Sequence, residues 1–396
     1  MISKSQILQL AESNFPKVVS QRRHLHQHPE LSFKEFKTSE FITQQLDELG
    51  IPYKKGYVKT GIVAHIEGNN PSKKTFALRG DMDALPILEK TGLPFASVNT
   101  GVMHACGHDV HTSSVLGAAA ILNELKDQFE GTVKLIFQPG EEVLPGGASL
   151  MIKEGALNNP QAMGIVGQHV YPQFEAGTVG FRKGMYMASC DELHLRVNGT
   201  GGHAAEPDRI TNPIIMASKI ILELNKLNDL GKAKNIPTII SIGFVEGLGA
   251  TNVVPDQVYI QGTFRTMNEE WRALIHDKIR SICKTVAHEM GGDVDANVIT
   301  GYPYLKNDIA LTTRAQSYAI DLLGKENVID LDLRMGGEDF SYYTQEIPGC
   351  FYRLGTSSPG NPSTGLHTST FTVDESALKT GMALLSWIAL QELNHT

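Results

Sequence analysis

A thiol and two imidazoles lie within five residues of this chain, in the segment His104-Ala105-Cys106-Gly107-His108. An acidic pair, Glu141-Glu142, follows after a short apolar run. Thiolate, imidazole and carboxylate groups bind zinc and related divalent ions in proteins. A carboxylate next to a metal ligand can also act as a general base. These residue types together predict metal-assisted hydrolysis.

The chemistry-bearing residues follow apolar runs that are typical of buried strands, and such runs alternate with runs of helical periodicity. Asp81 and Asp83 follow residues 75–78, Glu141 and Glu142 follow residues 132–137, and His169 follows residues 164–167. In open α/β sheets, ligands bind beyond the carboxyl ends of the strands. The alternation therefore predicts an α/β catalytic domain, with a mainly parallel sheet flanked by helices and the polar residues at its active-site edge.

The pattern changes between residues 184 and 299, where strands and helices are predicted in the order β-α-β-β-α-β. This is the order of a ferredoxin-like α+β sandwich. At 396 residues the chain exceeds the size at which single cores usually split. We therefore expect a discontinuous catalytic domain, residues 1–183 and 300–396, with residues 184–299 inserted as a lid and dimerisation domain. Its edge strands suit a homodimer or higher homo-oligomer in which two lids extend one sheet.

Composition argues against several classes of partner. The net charge of -8 is spread along the chain, and no basic stripe with interleaved aromatic residues is present, so nucleic acid is not expected as a partner. The first 15 residues lack an apolar stretch, and no segment is apolar enough to span a membrane. The four cysteines are far apart and form no CxxC pair, which predicts reduced thiols and a cytoplasmic location.

The potential metal ligands number more than the four of a closed tetrahedral site. They are Cys106, His108, Glu142, His169 and His367. Two ions that share bridging groups, about 3.5–4 Å apart, would use them all. We therefore expect two divalent cations per subunit, drawn from Zn, Mn, Co or Ni. Glu141 could take the proton of a metal-activated water. His111, one helical turn after His108, is a possible further ligand that this set does not need. His26 is expected to be solvated or to cap a helix.

Five longer motifs resemble one enzyme family, the aminoacylase and zinc-carboxypeptidase superfamily, in its amidohydrolase branch. That branch includes hippurate hydrolases, N-acetyl-diaminopimelate deacetylases and auxin-conjugate hydrolases. The motifs are RRHLHQHPEL at 22–31, RGDMDALP at 79–86, HACGHD at 104–109, QPGEE at 138–142 and GGEDF at 336–340. The resemblance extends from the first motif to His367 and includes the insert, so it covers nearly the whole chain.

The resemblance implies a role for each residue of the catalytic domain. Cys106, His108, Glu142, His169 and His367 would be the metal ligands, and Glu141 the general base. Asp83 would orient a ligand histidine through its carboxylate. In other branches of the superfamily an aspartate bridges the metals where Cys106 falls here, which leaves the bridging ligand open. Glu338 and Asp339 would line or brace the site.

The resemblance also assigns residues of the insert to the site. The segment Gly201-Gly202-His203-Ala204-Ala205 resembles the family's lid motif, whose histidine reaches the partner subunit's site and stabilises the oxyanion. Asn252 would assist His203, and Arg265 would clamp a substrate carboxylate through bidentate hydrogen bonds. Judged by residue type alone, structural roles are favoured, with His203 a loop histidine and Arg265 a surface residue of a strand.

The predicted function is that of a metal-dependent amidohydrolase that cleaves the amide bond of N-acyl amino acids. A carboxypeptidase or dipeptidase acting on short peptides is the alternative, because the same ligands would serve both reactions. A non-catalytic metal-binding oligomer is a more remote alternative. Glu141 argues against it, because a storage site needs ligands but no base.

Overall fold

The computed structural model describes residues 2–360 and 364–395. The chain divides into two compact units: unit 1 comprises Met1–Gly184, Lys306–Asp332 and Asp339–Thr396, and unit 2 comprises Met185–Leu305 and Leu333–Glu338. The segment Leu333–Glu338 belongs to unit 2, whereas the sequence pattern placed everything after residue 300 in the catalytic domain. It contains no helix or strand, and therefore no periodicity that could have marked it. Across the described residues, no helix combines the length and the apolar character needed to cross a membrane.

The regular elements are numbered here in chain order. The strands are β1 (Tyr53–Tyr57), β2 (Gly61–Glu67), β3 (Thr75–Asp81), β4 (Thr132–Gln138), β5 (Ile165–Glu175), β6 (Val179–Phe181), β7 (Gly184–Met187), β8 (Asp191–Asn198), β9 (Gly202–His203), β10 (Thr238–Glu246), β11 (Val253–Val254), β12 (Gln257–Thr266), β13 (Asp293–Ile299), β14 (Leu305–Asn307), β15 (Val328–Asp330) and β16 (Gly349–Ser357). The α-helices are α1 (Lys4–Gln27), α2 (Phe36–Glu48), α3 (His108–Glu124), α4 (Gly147–Lys153), α5 (Pro213–Lys234), α6 (Glu269–Glu289), α7 (Ile309–Leu323), α8 (Ser341–Glu346) and α9 (Ala377–Asn394).

Unit 1 is built on an eight-stranded sheet in the order β1-β2-β4-β3-β5-β16-β6-β15. Its centre, β4-β3-β5-β16, is parallel, whereas β1 and β2 add antiparallel pairs at one side. Every residue of β3, β4 and β16 is buried, as a sheet covered on both faces requires. Helices α1, α3 and α9 pack against one another beside this sheet. The predicted α/β fold with a mainly parallel sheet is confirmed.

Unit 2 is an antiparallel sheet in the order β10-β12-β8-β13, packed with α5 and α6. Along β8 the side chains of Leu193, Leu195 and Val197 are buried and alternate with more exposed neighbours, which gives the period of two that a one-sided sheet requires. Asn212 and Asn268 start the two helices, each accepting backbone N–H bonds through its side chain. The β-α-β-β-α-β order predicted for the insert is the order observed.

Two differences from the predicted elements have clear physical causes. Apolar residues at helical spacing predict a helix over residues 32–49. The observed α2 begins at Phe36, because Phe33 adopts a left-handed φ of +63° that a right-handed helix excludes. Helix α1 was not predicted. Its buried face includes Gln21, Arg22 and His26, so the polar residues there hide the helical periodicity.

Candidate metal centre

The predicted site residues of unit 1 lie where three adjacent parallel strands end. Strands β4, β3 and β5 are neighbours in the sheet. Asp83 follows β3 by two residues, Glu141 and Glu142 follow β4, and His169 lies within β5. His108 is the first residue of α3, which begins after Gly107 in the left-handed region with φ +83°. The sheet therefore brings residues that are distant in sequence together at the carboxyl ends of its central strands.

The side chains of the five predicted ligands meet at the carboxyl ends of these strands. The Sγ atom of Cys106 lies 3.4 Å from His169 Nε2 and 3.3 Å from His367 Nε2. Glu142 Oε1 lies 3.4 Å from His367 Nε2 and 3.9 Å from His108 Nε2. Two groups of three with ligand atoms within 4.8 Å of one another share Cys106: one adds His108 and His169, the other Glu142 and His367. Cys106 is therefore common to both groups of potential metal ligands.

His108 and His169 are each hydrogen-bonded through Nδ1, so the Nε2 atom of each ring faces the cluster. A carboxylate only accepts, so His108 donates from Nδ1 to Asp83 Oδ1 at 3.2 Å, and its Nε2 is left to hold either a proton or a metal ion. His169 likewise donates from Nδ1 to the Val170 carbonyl at 2.8 Å. Within the described part of the chain, His108 Nε2 and Glu142 Oε1 are buried without a hydrogen-bond partner. A buried carboxylate oxygen and a buried ring nitrogen without hydrogen-bond partners are unfavourable unless a cation lies beside them, so these residues fit divalent metal.

The charges of the cluster support the same conclusion. Burial opposes the charged form of His108, but the carboxylates of Asp81 and Asp83 outweigh it and raise the pKa of this imidazole to about 10. Burial, followed by the carboxylates of Glu142 and Glu141, raises the pKa of the Cys106 thiol well above its usual value. A thiolate at Cys106 therefore needs positive charge beside it, and a divalent cation would supply that charge.

Glu141 lies beside the ligands and is almost fully buried, with Oε2 4.0 Å from His108 Nε2. The loop that carries it is fixed on both sides of the residue. Glu35 accepts the backbone N–H of Gly140 at 2.9 Å, and Asp83 Oδ2 accepts that of Glu142 at 3.1 Å. Asp83 thus contacts both a potential ligand histidine and the loop of the candidate base.

His367 has an unusual backbone conformation for a side chain of its size. Its φ is +61°, in the left-handed region, and its N–H donates to the carbonyl of Ala105 at 2.9 Å. The side chain is about half exposed, with 53% of its surface accessible in this unit. The hydrogen bond joins the segment of His367 directly to the segment that carries Cys106.

A buried ionic network beneath the cluster was not predicted. Arg79 donates to Asp81, to Asp339 Oδ1 at 2.8 Å and to Gln138 Oε1 at 2.9 Å. Asp339 also accepts the N–H of Ala148 at 3.0 Å. Asp339 thus connects the end of β4 to the first turn of α4. The sequence signal for Arg79 and Asp81 was their place in the RGDMDALP motif, to which no role had been given.

A second network corrects the expectation for His26, which is fully buried instead of solvated. His26 Nδ1 and Arg22 Nε both contact Asp109 Oδ2 at 2.8 Å. His26 Nε2 lies 3.2 Å from Glu89 Oε1. Since Asp109 directly follows His108, this network holds the first turn of α3. The RRHLHQHPEL motif therefore supports the site without supplying a ligand.

The predicted lid residues lie in unit 2. His203 is in β9, paired with Val253 of β11, and the Asn252 carbonyl accepts the N–H of Ala204 at 3.0 Å. The structure thus places His203 next to Asn252, and both are exposed. The Ala205 N–H donates to His203 Nδ1 at 3.1 Å, so the imidazole proton lies on Nε2. Arg265 lies apart from them on β12, with Nη1 3.4 Å from the Met335 carbonyl.

Known proteins share both this sequence and this fold. The model of Peptidase family M20/M25/M40 matches residues 77–391. The chain belongs to this family. It is 40% identical to N-acetyl-L-cysteine deacetylase of Bacillus subtilis (strain 168), over 90% of this chain and 83% of that protein. It is 34% identical to thermostable carboxypeptidase 1 of Saccharolobus solfataricus, over 95% of each chain.

A solved structure agrees with these relatives. A Bacillus subtilis protein described as a dinuclear metal binding peptidase from the M20 family matches with a TM-score of 0.84 and 34% identity, over 97% of this chain and 100% of that one. The family and its named members establish a metal-dependent amidohydrolase, an enzyme that hydrolyses amide bonds. The resemblance stated from the motifs is confirmed.

Proposed function

We propose that this M20-family hydrolase cleaves the amide bond of N-acyl amino acids, with two divalent cations at the cluster around Cys106 and with Glu141 as the general base. The observation that carries the proposal is the meeting of the five ligand side chains with Glu141 directly beside them. The similarity to an N-acetyl-L-cysteine deacetylase supports an acylated amino acid as substrate.

The cations, Glu141 and Asp83 have separate roles in the proposed reaction. When bound, the cations would polarise the scissile carbonyl and lower the pKa of the attacking water. Glu141 accepts the proton of that water as the new C–O bond forms, and delivers it to the leaving nitrogen as the C–N bond breaks. Asp83 keeps His108 in the tautomer whose Nε2 can bind metal. The products are a carboxylate and a free amino acid.

The resemblance also implies roles for three residues of unit 2, with His203 acting in the site of the partner subunit. His203 carries its proton on Nε2, which is the tautomer that can donate a hydrogen bond to the oxyanion of the tetrahedral intermediate. Asn252, adjacent to His203, would assist it. Arg265 would bind the α-carboxylate of the substrate, because a guanidinium matches a carboxylate in a bidentate manner.

We further propose that the enzyme is a cytoplasmic homodimer formed through unit 2. Strand β10 is an edge of the four-stranded sheet, and it exposes apolar side chains at Ile239, Phe244 and Val245. Exposed apolar edges pair with other strands, and a second copy of β10 would extend the sheet. The cysteines of the chain are free thiols, in keeping with a reducing compartment. Light scattering that gives a monomer at full activity would contradict the dimer.

A carboxypeptidase or dipeptidase activity is the second candidate, supported by the similarity to a thermostable carboxypeptidase. Rates on N-acetyl amino acids, N-benzoyl amino acids and dipeptides distinguish the two. We expect the highest kcat/KM on an N-acyl amino acid. A preference for dipeptides would favour the peptidase.

The adjacent acids Glu141 and Glu142 provide a matched test of the mechanism. Glu141→Gln is expected to keep its metal and to lose turnover by about 10²–10⁴-fold, the usual contribution of a general base. Glu142→Gln is expected to lose metal as well as activity. Metal content by elemental analysis and turnover of an N-acetyl amino acid separate the two variants. Wild-type turnover in a fully loaded Glu141→Gln variant would refute the assignment of the base.

A further inference from the structure

His111 is a fully buried histidine that the proposed chemistry does not use. It lies in the first turn of α3, close to Asp81 and to the backbone of β5. Its Nδ1 atom is 2.6 Å from Asp81 Oδ1. Its Nε2 atom is 2.9 Å from the backbone nitrogen of Val170. Both ring nitrogens are therefore engaged, one with a side chain and one with the main chain.

The donors and acceptors fix the protonation of this ring. A backbone N–H only donates, so His111 Nε2 must accept from Val170 and must carry a lone pair. The ring proton then lies on Nδ1, where Asp81 accepts it. Burial is the main cause that lowers the pKa of His111, although Asp81 opposes the change, and the neutral ring agrees with this hydrogen-bond pattern. With both nitrogens committed, His111 is not placed to bind metal, although it lies near His108.

The peptide groups on either side of Val170 link His111 to a proposed ligand. The Val170 N–H is held by His111, and the Val170 carbonyl accepts from His169 Nδ1 at 2.8 Å. That second bond orients the His169 ring so that Nε2 points to Cys106. The Val170 side chain packs on Gly107, where an added Cβ would lie 2.5 Å from Val170 Cγ2. Val170 is thus held through its N–H, its carbonyl and its side chain.

We propose that His111 is a positioning residue for the metal centre, which acts through the backbone of Val170 to fix the orientation of His169. The contacts Asp81–His111–Val170–His169 form a series that is called the relay here. Asp81 fixes its first member, since it accepts the hydrogen bond of His111 Nδ1 and is itself bound by Arg79. The inference rests on the proposed metal centre, because it assigns His169 as a ligand.

Two isosteric substitutions separate positioning from packing. In His111→Gln the amide lies near the place of Nε2, so its oxygen can accept the Val170 N–H. In His111→Asn the amide lies near the place of Nδ1, so it can donate to Asp81 but leaves the Val170 N–H buried without an acceptor. Both variants lose the ring, and asparagine is smaller than glutamine by one methylene group, so the stability of each variant is measured alongside its metal binding. Only the asparagine variant loses the contact with the main chain.

The readout is cobalt binding by the metal-free protein, followed through the absorption of the Co²⁺–thiolate bond at Cys106. We expect His111→Asn to bind Co²⁺ about 10–100-fold more weakly than the wild type, the range for residues that support a ligand. We expect His111→Gln to recover most of that affinity. Cys106→Ser is the control that identifies the thiolate band. Unfolding by urea shows whether the two variants are equally stable.

The outcomes are distinct. Weaker Co²⁺ binding in His111→Asn than in His111→Gln at equal stability supports the relay. Equal affinities in the two variants overturn it and leave His111 a packing residue. A wild-type protein that binds no Co²⁺ refutes the proposed metal centre itself. Nitrogen-15 shifts of histidine-labelled metal-free protein give a test without metal: a proton on His111 Nε2 instead of Nδ1 would also overturn the relay.

Discussion

The buried carboxylate of Glu35 accepts a hydrogen bond from the backbone N–H of Gly140, with 2.9 Å between Oε1 and N. It also accepts from the Phe33 N–H and from the Thr60 hydroxyl, each at 2.8 Å. Gly140 directly precedes Glu141, so one acid near the start of the chain fixes the loop of the proposed base. The ring of Phe33 covers Gly140, where an added Cβ would lie 2.4 Å from Phe33 Cε1. The segment before α2 therefore fixes the conformation of the loop that carries Glu141.

The first prediction concerns pH and the stability of the metal-free protein. Burial, assisted by the carboxylate of Asp83, raises the pKa of Glu35 to about 7. A carboxyl with a raised pKa binds its proton more tightly when folded. Its contribution is most favourable below the unfolded pKa of about 4.3 and is lost as pH rises towards 7, by about 3 kcal/mol in all. Glu35→Gln has no such titration.

The measurement is the free energy of unfolding by urea, from pH 4.5 to pH 8 with a chelator present. We expect the wild type to lose stability relative to Glu35→Gln as pH rises, and the difference to level off above pH 7. Glutamine can still accept the backbone N–H groups and donate to Thr60, so it preserves the hydrogen bonds. Parallel curves for the two proteins would show that Glu35 does not titrate in this range.

The second prediction concerns Cys106 as the shared ligand. Cys106→Ser replaces a thiolate by a weak ligand, and we expect affinity for Zn²⁺ to fall by about 100-fold or more, beyond the range for supporting residues. Cys350→Ser is the matched control, because Cys350 is an equally buried thiol of β16 outside the cluster. Competition with a chromogenic chelator measures both. Equal affinities in the two variants would remove Cys106 from the ligand set.

The third prediction concerns the contacts of Asp83. It accepts from Ser32 Oγ at 2.6 Å, from His108 Nδ1 and from the Glu142 N–H. Asp83→Ala removes the acceptor of a ligand histidine and of the loop of the base, so we expect kcat to fall by about 10–100-fold or more. Ser32→Ala removes only one of the three donors and serves as the mild control. A loss in Asp83→Ala no larger than in Ser32→Ala would contradict the orienting role.

The fourth prediction concerns the buried ionic network. Arg79→Met leaves the carboxylates of Asp81 and Asp339 buried without their guanidinium, which we expect to reduce the free energy of unfolding by about 3–5 kcal/mol. Lys73→Met breaks an exposed pair with Glu130 and is expected to change stability by less than about 1 kcal/mol. Denaturant unfolding measures both. Similar small losses would mean that Arg79 is not the main counter-ion of these carboxylates.

The clustering of the proposed ligands and base could be predicted because chemistry and strand position coincide in short motifs. Glu141 and Glu142 directly follow an apolar run, and the C-terminal ends of neighbouring strands meet whatever the loops between them do. The supporting residues could not be predicted in this way. Arg79 and Asp339 are 260 positions apart in the chain, and the burial of Glu35 depends on Thr60 and Gly140 arriving beside it. Nothing local to an acidic residue indicates which distant donor it will meet.

The left-handed backbone at His367 limits which substitutions this position can tolerate. Glycine adopts this conformation without strain, whereas other residues incur a steric penalty there. Glycine has no imidazole, so the residue that would relax the backbone is one that could not bind metal. Under the proposed function, selection for a more stable fold and selection for catalysis therefore act in opposite directions at this position. Substitutions designed to raise the stability of the enzyme should therefore leave His367 unchanged, together with its backbone strain.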